Sequence, residues 1–164
     1  MTTQCVIAEY QTMVEAKLAI EALKSEHFTL RSLSVISSKD DPAASELLHL
    51  HHTDEDSAPV ERTVNAAMLL GGSLAVPITA GALLGPFAVA GPLVGMALGA
   101  AVGGLFATLK RWGVSDQVSG DYEQRVIAGS VLVIVSEQDQ TRLEGAERIL
   151  RTTKPKTLHR FDYV

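Results

Sequence analysis

The sequence predicts an α+β domain, a ferredoxin-like four-stranded antiparallel sheet with two main helices, interrupted by an inserted glycine-zipper helical hairpin. Three observations support this prediction. Both flanks of the chain alternate short apolar segments with amphipathic helical patterns. A stretch without any charged side chain runs from Thr63 to Leu109. Within that stretch, glycines recur every four residues from Gly91 to Gly103, a spacing at which two helix backbones approach closely.

The N-terminal flank predicts a strand, a helix and a second strand. Gln4 to Tyr10 is a short apolar segment of the first strand. Thr12 to Glu15 fits a capping box, in which a hydroxyl and a carboxylate satisfy unpaired backbone donors at a helix start. One apolar stripe follows at helical spacing, formed by Ala16, Ala19, Ile20 and Leu23. Leu30 to Ser37 then alternates polar and apolar residues, as half-buried strands do.

The C-terminal flank repeats the pattern. Ser115 to Ala128 predicts a short helix that Gly129 terminates, and residues 131–135 predict a buried strand. Asp139 caps a further helix, and Lys156 to Tyr163 alternates as a last strand. Two strand–helix–strand units of this kind build a ferredoxin-like sheet.

These patterns divide the chain into three parts. Residues 1–38 and 114–164 form a discontinuous ferredoxin-like domain, and residues 39–62 form an acidic linker. Residues 63–113 form the apolar glycine-rich helical hairpin, with its tip near Gly85-Pro86 or Gly91-Pro92. Each arm of roughly 20 residues spans about 30 Å, the thickness of a bilayer core.

The apolar hairpin has three interpretations. It inserts into the cytoplasmic membrane, it packs against copies of itself in a soluble ring or shell, or it belongs to the core of a single chain. The third is disfavoured, because one small sheet cannot cover two helices that are apolar on every side. Insertion is marginal, since each arm gains roughly 2 to 5 kcal/mol before polar, glycine and proline costs are subtracted.

Both leading interpretations predict a homo-oligomer, because a ridge of glycines needs a facing helix. The predicted oligomerisation residues are the glycines of the hairpin, namely Gly81, Gly85, Gly91, Gly95, Gly99 and Gly103. Lys110, Arg111 and Trp112 close the second arm and suit a membrane interface, although ordinary packing of Trp112 against the small domain is the alternative. No secretory signal pattern opens the chain, so we expect the small domain in the cytoplasm, either at the membrane or in a soluble assembly.

Composition disfavours several other classes. The formal net charge of −5 opposes non-specific nucleic-acid binding. His49, His51 and His52 lie beside acidic residues and suggest a metal-sensing alternative, but a solvated linker explains them as well. No phosphate-binding or dinucleotide motif is present, and Ser130 lacks a nucleophile-elbow sequence. The sequence therefore predicts no enzyme, no catalytic residue and no cofactor; its predicted partners are further copies of itself and the lipid bilayer.

Several segments resemble a known family. They are Gly113-Val114-Ser115 through Tyr122-Glu123, Ile127 through Val135, and Ala146 through Leu150, together with the first helix. This pattern is similar to bacterial general stress proteins, the heat-induced or low-temperature-induced proteins with a glycine-rich apolar core between two halves of a small α/β domain. The resemblance implies a stress-associated bacterial protein and carries over no catalytic residue.

Overall fold

The computed structural model describes residues 4–29, 31–42, 82–84, 87–90, 106 and 108–162. Its elements in chain order are β1 (Gln4–Tyr10), α1 (Met13–Ser25), β2 (Leu33–Ser38), β3 (Ala82–Leu84), β4 (Phe87–Ala90), a 3-10 helix (Thr108–Trp112), α2 (Asp116–Ile127), β5 (Val131–Glu137), α3 (Gln140–Thr152) and β6 (Thr157–Asp162).

The strands form one antiparallel sheet in the order β3-β4-β2-β5-β1-β6. Strand β1 lies between β5 and β6, so that Val6 is opposite Val135 on one side and Arg160 on the other. The two flanks of the chain therefore build the centre of the sheet together, although more than a hundred residues separate β1 from β5.

Helices cover both faces of this sheet, because successive strand residues point to opposite sides. On one face, α1 and α3 bury a cluster that includes Tyr10, Leu23, Leu33, Val133 and Leu143. On the other face, the 3-10 helix and α2 bury a second cluster that includes Ile7, Leu109, Trp112, Tyr122 and Ile134. The described part of the molecule thus has three layers, with the sheet in the middle.

The helix ends follow the predicted caps. Thr12 Oγ1 accepts a hydrogen bond from the Glu15 backbone N–H, and the Glu15 carboxylate accepts one from the Gln11 N–H. Asp139 caps α3 by accepting from two backbone N–H groups. Gly129 follows the end of α2 with φ +113°, a conformation that glycine adopts without a Cβ penalty.

The α+β class and the antiparallel sheet are confirmed, and two details of the prediction are wrong. Among the described residues the sheet has six strands in place of four. The predicted short helix is present as α2 and lies on the face opposite the two main helices, α1 and α3. Residues 82–84 and 87–90 are strands, whereas the sequence predicted a helical hairpin there.

Pairing with β2 explains why strands form where the sequence predicted a helical hairpin. The edge of β2 bonds to β4, and the buried side chains of Phe87 and Val89 join the cluster on the α2 face. Leu84 is opposite Phe87 in the antiparallel pair of β3 and β4, and both predicted tips, Gly85-Pro86 and Gly91-Pro92, lie outside the described residues. Most of the predicted hairpin, residues 63–81 and 91–105, lies outside the described residues, as does the predicted linker beyond residue 42.

Candidate functional site

Most residues singled out by the sequence lie outside the described part of the chain. This holds for the six glycines Gly81, Gly85, Gly91, Gly95, Gly99 and Gly103, and for His49, His51 and His52. Within the described residues, no helix combines the length and the apolar character needed to cross a bilayer. No group of three or more metal-ligating side chains occurs among these same residues either.

The predicted interface residues at the end of the apolar stretch are partly described. Trp112 is buried in the cluster between the 3-10 helix and the sheet, and its backbone carbonyl accepts a hydrogen bond from Cys5 Sγ. This is the packing arrangement that the sequence left as an alternative for Trp112. Lys110 is exposed and forms an ion pair with Asp116, while the side chain of Arg111 is not described.

The most concentrated polar chemistry surrounds Glu9, which the sequence did not single out. Glu9 occupies β1 opposite Leu132 and Thr157, and its side chain has no solvent exposure. Cys5 and Ile7 precede it at two-residue intervals, so all three point to the α2 face of the sheet. A carboxylate at such a position needs partners, because an unpaired buried charge is costly.

Four side chains from three other parts of the chain supply these partners. Arg125 Nη1, in the last turn of α2, lies 3.0 Å from Glu9 Oε2. Ser130 Oγ donates to Oε1 at 2.9 Å, and Thr157 Oγ1 donates to Oε2 at 3.0 Å. Lys156 Nζ lies 3.6 Å from Oε1, and its backbone N–H donates to the Glu9 carbonyl. We call Glu9, Arg125, Ser130, Lys156 and Thr157 the Glu9 cluster.

Local backbone geometry brings these groups together. At the end of α2, the N–H of Gly129 bonds to the carbonyl of Val126, and the N–H of Ser130 bonds to the carbonyl of Arg125. This paired Schellman arrangement turns the chain directly from the helix into β5. The Arg125 and Ser130 side chains thereby reach the same carboxylate from the two sides of one turn.

Tyr122 and His159 lie beside the Glu9 cluster. The Tyr122 hydroxyl is 3.0 Å from His159 Nδ1, and the Arg125 guanidinium lies 5.8 Å from the centre of the Tyr122 ring. His159 is exposed on β6, next but one to Thr157. This hydrogen bond connects β6 to α2 beside the Glu9 cluster.

The acid–base properties of these groups follow from burial and charge. Burial raises the pKa of the Glu9 carboxyl, but hydrogen bonds from Ser130 and Thr157 and the charges of Arg125 and Lys156 outweigh it, so that the pKa lies below its ordinary value. Burial raises the pKa of Tyr122 to about 12, although the charge of Arg125 partly opposes the shift. Burial likewise raises the pKa of the Cys5 thiol to about 12.

These shifts define what the cluster does chemically. Near neutral pH, Glu9 is a carboxylate that contacts donors through both oxygens. The neighbouring Tyr122 hydroxyl and Cys5 thiol are protonated at this pH. The Glu9 cluster connects β1 with the end of α2, the start of β5 and the start of β6.

One sequence signal could have identified Glu9. It is the single charged residue in a segment otherwise typical of a buried strand, Cys5 to Tyr10, and such a residue is rarely buried without a partner. Its partners could not be identified in the same way, since Arg125 and Thr157 are more than a hundred residues away along the chain.

A family comparison covers most of the apolar stretch and the four partners of Glu9, but not Glu9 itself. Residues 69–159 match the family described as a protein of unknown function (DUF1269), which is more than half of the 164 residues. The chain belongs to the DUF1269 family. Its matched region begins within the apolar stretch, continues through α2, β5 and α3, and ends in β6. No curated protein and no solved structure matches the chain.

Proposed function

We propose that the chain is a non-enzymatic bacterial stress-response protein that homo-oligomerises through its glycine-rich apolar segment and associates with the cytoplasmic membrane. The observation that carries this proposal is the absence of any charged side chain from Thr63 to Leu109, with glycine at every fourth residue from 91 to 103. Dense glycine and alanine favour contact between helices, while the length and apolarity of the segment favour contact with lipid.

The family match supports treating the apolar segment and the α/β domain as one functional unit. The matched region includes apolar residues from position 69 and the second half of the domain. The similarity to bacterial general stress proteins supports the stress-response assignment. We further propose that β1, α1, β2, β5, α3 and β6 form a ferredoxin-like core that lies on the cytoplasmic side, with β3, β4 and α2 as additions to it.

The chemistry of the Glu9 cluster supports a non-enzymatic role. Catalytic groups have pKa values tuned toward the working pH, such as a raised glutamate pKa or a lowered cysteine pKa. The pKa of Glu9 is lowered and that of Cys5 is raised, the opposite of these two examples, and the pKa of Tyr122 is raised further from neutral pH. These groups are therefore suited to stabilising the fold.

A soluble ring or shell is the second candidate, and the composition of the apolar segment favours it specifically. Glycine contributes little contact area with lipid tails, so the insertion free energy of each arm is small. The two candidates differ in where the assembled protein fractionates. Carbonate washing separates a membrane-inserted protein, which stays in the pellet, from a large soluble particle, which does not.

The experiment that tests self-assembly replaces Gly95 and Gly99 with Leu in the full-length chain. We expect fewer subunits per particle in mild detergent, measured by light scattering, because leucine keeps the two backbones apart. Gly120→Leu in α2 is the matched control, since a Cβ at Gly120 meets no atom within 4 Å. An unchanged particle size for the double Leu variant would contradict the role of these glycines.

A further inference from the structure

Strands β3 and β4 lie in the middle of the uncharged stretch and are docked on the sheet. Strand β4 pairs antiparallel with β2, and β3 pairs with β4. The side chains of Phe87 and Val89 are buried in the cluster on the α2 face, and Ala88 is buried as well. The centre of the stretch from Thr63 to Leu109 is therefore held against the small domain.

An aromatic contact shows how far this arrangement departs from a spanning hairpin. Phe87 and Phe106 lie near the two ends of the second arm that the sequence predicts. In one continuous helix they would be about 30 Å apart along the axis, at 1.5 Å per residue. In the structure their ring centroids are 5.1 Å apart and the rings pack edge to face. The two phenylalanines cannot make this contact and also belong to one spanning helix.

The backbone pairing of β4 leads to the same exclusion. A helix that spans a bilayer satisfies its backbone N–H and C=O groups within itself, whereas the backbone of β4 pairs with β2 and β3. One crossing takes about 20 residues, so neither residues 63–81 nor residues 91–107 are long enough to cross and return. A chain with β4 docked on β2 therefore cannot span a membrane with this stretch.

We propose that β3 and β4 form a releasable strap, whose pairing with β2 keeps the chain out of the membrane and whose release lets the apolar stretch insert as a hairpin. This inference rests on the proposed membrane association and adds its regulation. In the docked state the chain is compatible with the soluble assembly, so the strap connects the two candidate states of one protein.

The position of the strap allows its release without loss of the remaining sheet. It occupies one end of the strand order, and β2, β5, β1 and β6 stay paired with each other when it leaves. Its pairing with β2 covers four residue pairs, and two of them involve Ser37 and Ser38, which have no partner in β5. Ala88 and Ala90 make up half of β4, and alanine is depleted in strands. Few interactions thus hold the strap in place.

A disulfide between β2 and β4 tests the strap in the full-length chain. Ser37 and Ala88 are small, buried and opposite each other, and antiparallel partners have a Cα separation that a disulfide can bridge. We replace both with Cys in a chain that carries Cys5→Ala, which removes the single native thiol. The matched control joins β1 to β5 through Gln4→Cys and Glu137→Cys, which are also register partners and leave the strap unrestrained.

Each chain is oxidised with diamide, with or without later reduction, and mixed with vesicles of equal parts phosphatidylcholine and phosphatidylglycerol. The fraction that resists carbonate washing is then measured. We expect the oxidised strap variant to be lost from the vesicles and its reduced form to be retained like the wild type. The control disulfide should be retained in both forms. Non-reducing gels and circular dichroism report whether each disulfide has formed and whether each chain is folded.

The possible failures of the two proposals differ in this experiment. Equal retention of the oxidised and reduced strap variants would overturn the strap and leave membrane association in place. Loss of every chain from the vesicles, including the wild type, would overturn membrane insertion and the strap together.

A second variant tests the strap without a disulfide. Ser37→Asp places an unpaired carboxylate in a buried position opposite Ala88, a cost that falls on the docked state. At a lipid concentration that retains only part of the wild type, Ser37→Asp should raise the carbonate-resistant fraction. Ser37→Asn, which is similar in size and uncharged, should raise it less. An unchanged or lower fraction for a folded Ser37→Asp chain would contradict the strap.

Discussion

At Glu9, burial and hydrogen bonding act against each other on a single carboxyl group. Burial without partners would raise the pKa of the carboxyl group and so favour its protonated form. The Ser130 and Thr157 hydroxyls and the Arg125 and Lys156 cations reverse that effect. The two ion pairs contribute only moderately to the free energy of unfolding, because the Arg125 and Lys156 side chains are 44% and 58% exposed and water screens their charges.

Replacement of Glu9 with Gln should lower the free energy of unfolding by about 1–2 kcal/mol at pH 7, because an amide cannot accept the full set of donors and removes the ion pairs. Urea unfolding monitored by circular dichroism measures this loss. Glu147→Gln is the control, since Glu147 forms a surface ion pair with Arg151 and its loss should cost less than about 0.5 kcal/mol. Equal losses in both variants would contradict a special role for Glu9.

The lowered pKa of Glu9 predicts how the stability of the chain depends on pH. The pKa of Glu9 is lower in the folded chain than the ordinary value of 4.5, so the contribution of Glu9 to the free energy of unfolding is fully present above pH 4.5. As the pH falls through the folded-state pKa, Glu9 becomes protonated and the contribution is lost. The stability difference between the wild type and Glu9→Gln should therefore narrow below pH 4.5, and a difference that widens there would contradict this pKa direction.

Two residues with positive φ allow a matched test of backbone strain. His27 has φ +64° after α1, where the N–H groups of His27 and Phe28 bond back to Lys24 and Leu23. His27→Gly should stabilise the chain by about 0.5–1 kcal/mol, because glycine adopts this conformation without a Cβ clash. Gly129→Ala should destabilise it by about 1–2 kcal/mol through strain alone, since a Cβ there meets no atom within 4 Å. Thermal unfolding of both variants checks the opposite signs.

At the scale of the elements, the caps of α2 and α3 differ in quality. Asp139 accepts hydrogen bonds of 2.8 Å and 3.3 Å at the start of α3, whereas Ser115 accepts a single bond of 3.4 Å at the start of α2. Asp139→Ala should therefore cost about 1 kcal/mol, and Ser115→Ala should cost less. Chemical denaturation of both variants measures the difference, and a larger loss for Ser115→Ala would reverse the inferred ranking.

The same caps explain why many elements could be predicted from the sequence. A capping residue, an apolar stripe and a terminal glycine are all local signals, and they identified α1, α2 and α3 closely. The Gln4–Tyr10 strand was also predicted with its observed bounds, because a short apolar segment ends there at a helix cap. These elements depend on residues within a few positions of each other.

Elements that depend on distant residues could not be predicted in the same way. Strands β3 and β4 lie in a stretch that is apolar throughout, where periodicity cannot distinguish a short strand from a buried helix. They are strands because β2 offers a free edge and the α2 face offers burial for Phe87 and Val89. The Glu9 cluster could not be predicted either, because its members are distant in the sequence and come together only in the folded sheet.

At the scale of the whole molecule, the position of β1 determines how the chain folds. Strands β5 and β6 have no direct pairing in the sheet order, because β1 lies between them and bonds to both. The second half of the domain therefore contains two strands and two helices but lacks the central strand. The Glu9 cluster strengthens the same dependence, since its carboxylate comes from β1 and all its donors come from the second half.

A fragment of residues 106–164 should consequently lack a cooperative unfolding transition, although it contains α2, β5, α3 and β6. A second fragment of residues 1–42 supplies β1, α1 and β2, and we expect the two fragments to fold when mixed, because the missing strand can insert between β5 and β6. Dispersion of amide resonances and thermal melts show whether each fragment and the mixture are folded.

The same mixture with Glu9→Gln in the shorter fragment should associate more weakly, because the ion pairs that connect the two fragments are absent. A cooperative transition in residues 106–164 alone would show that β5 and β6 can form a stable sheet without β1.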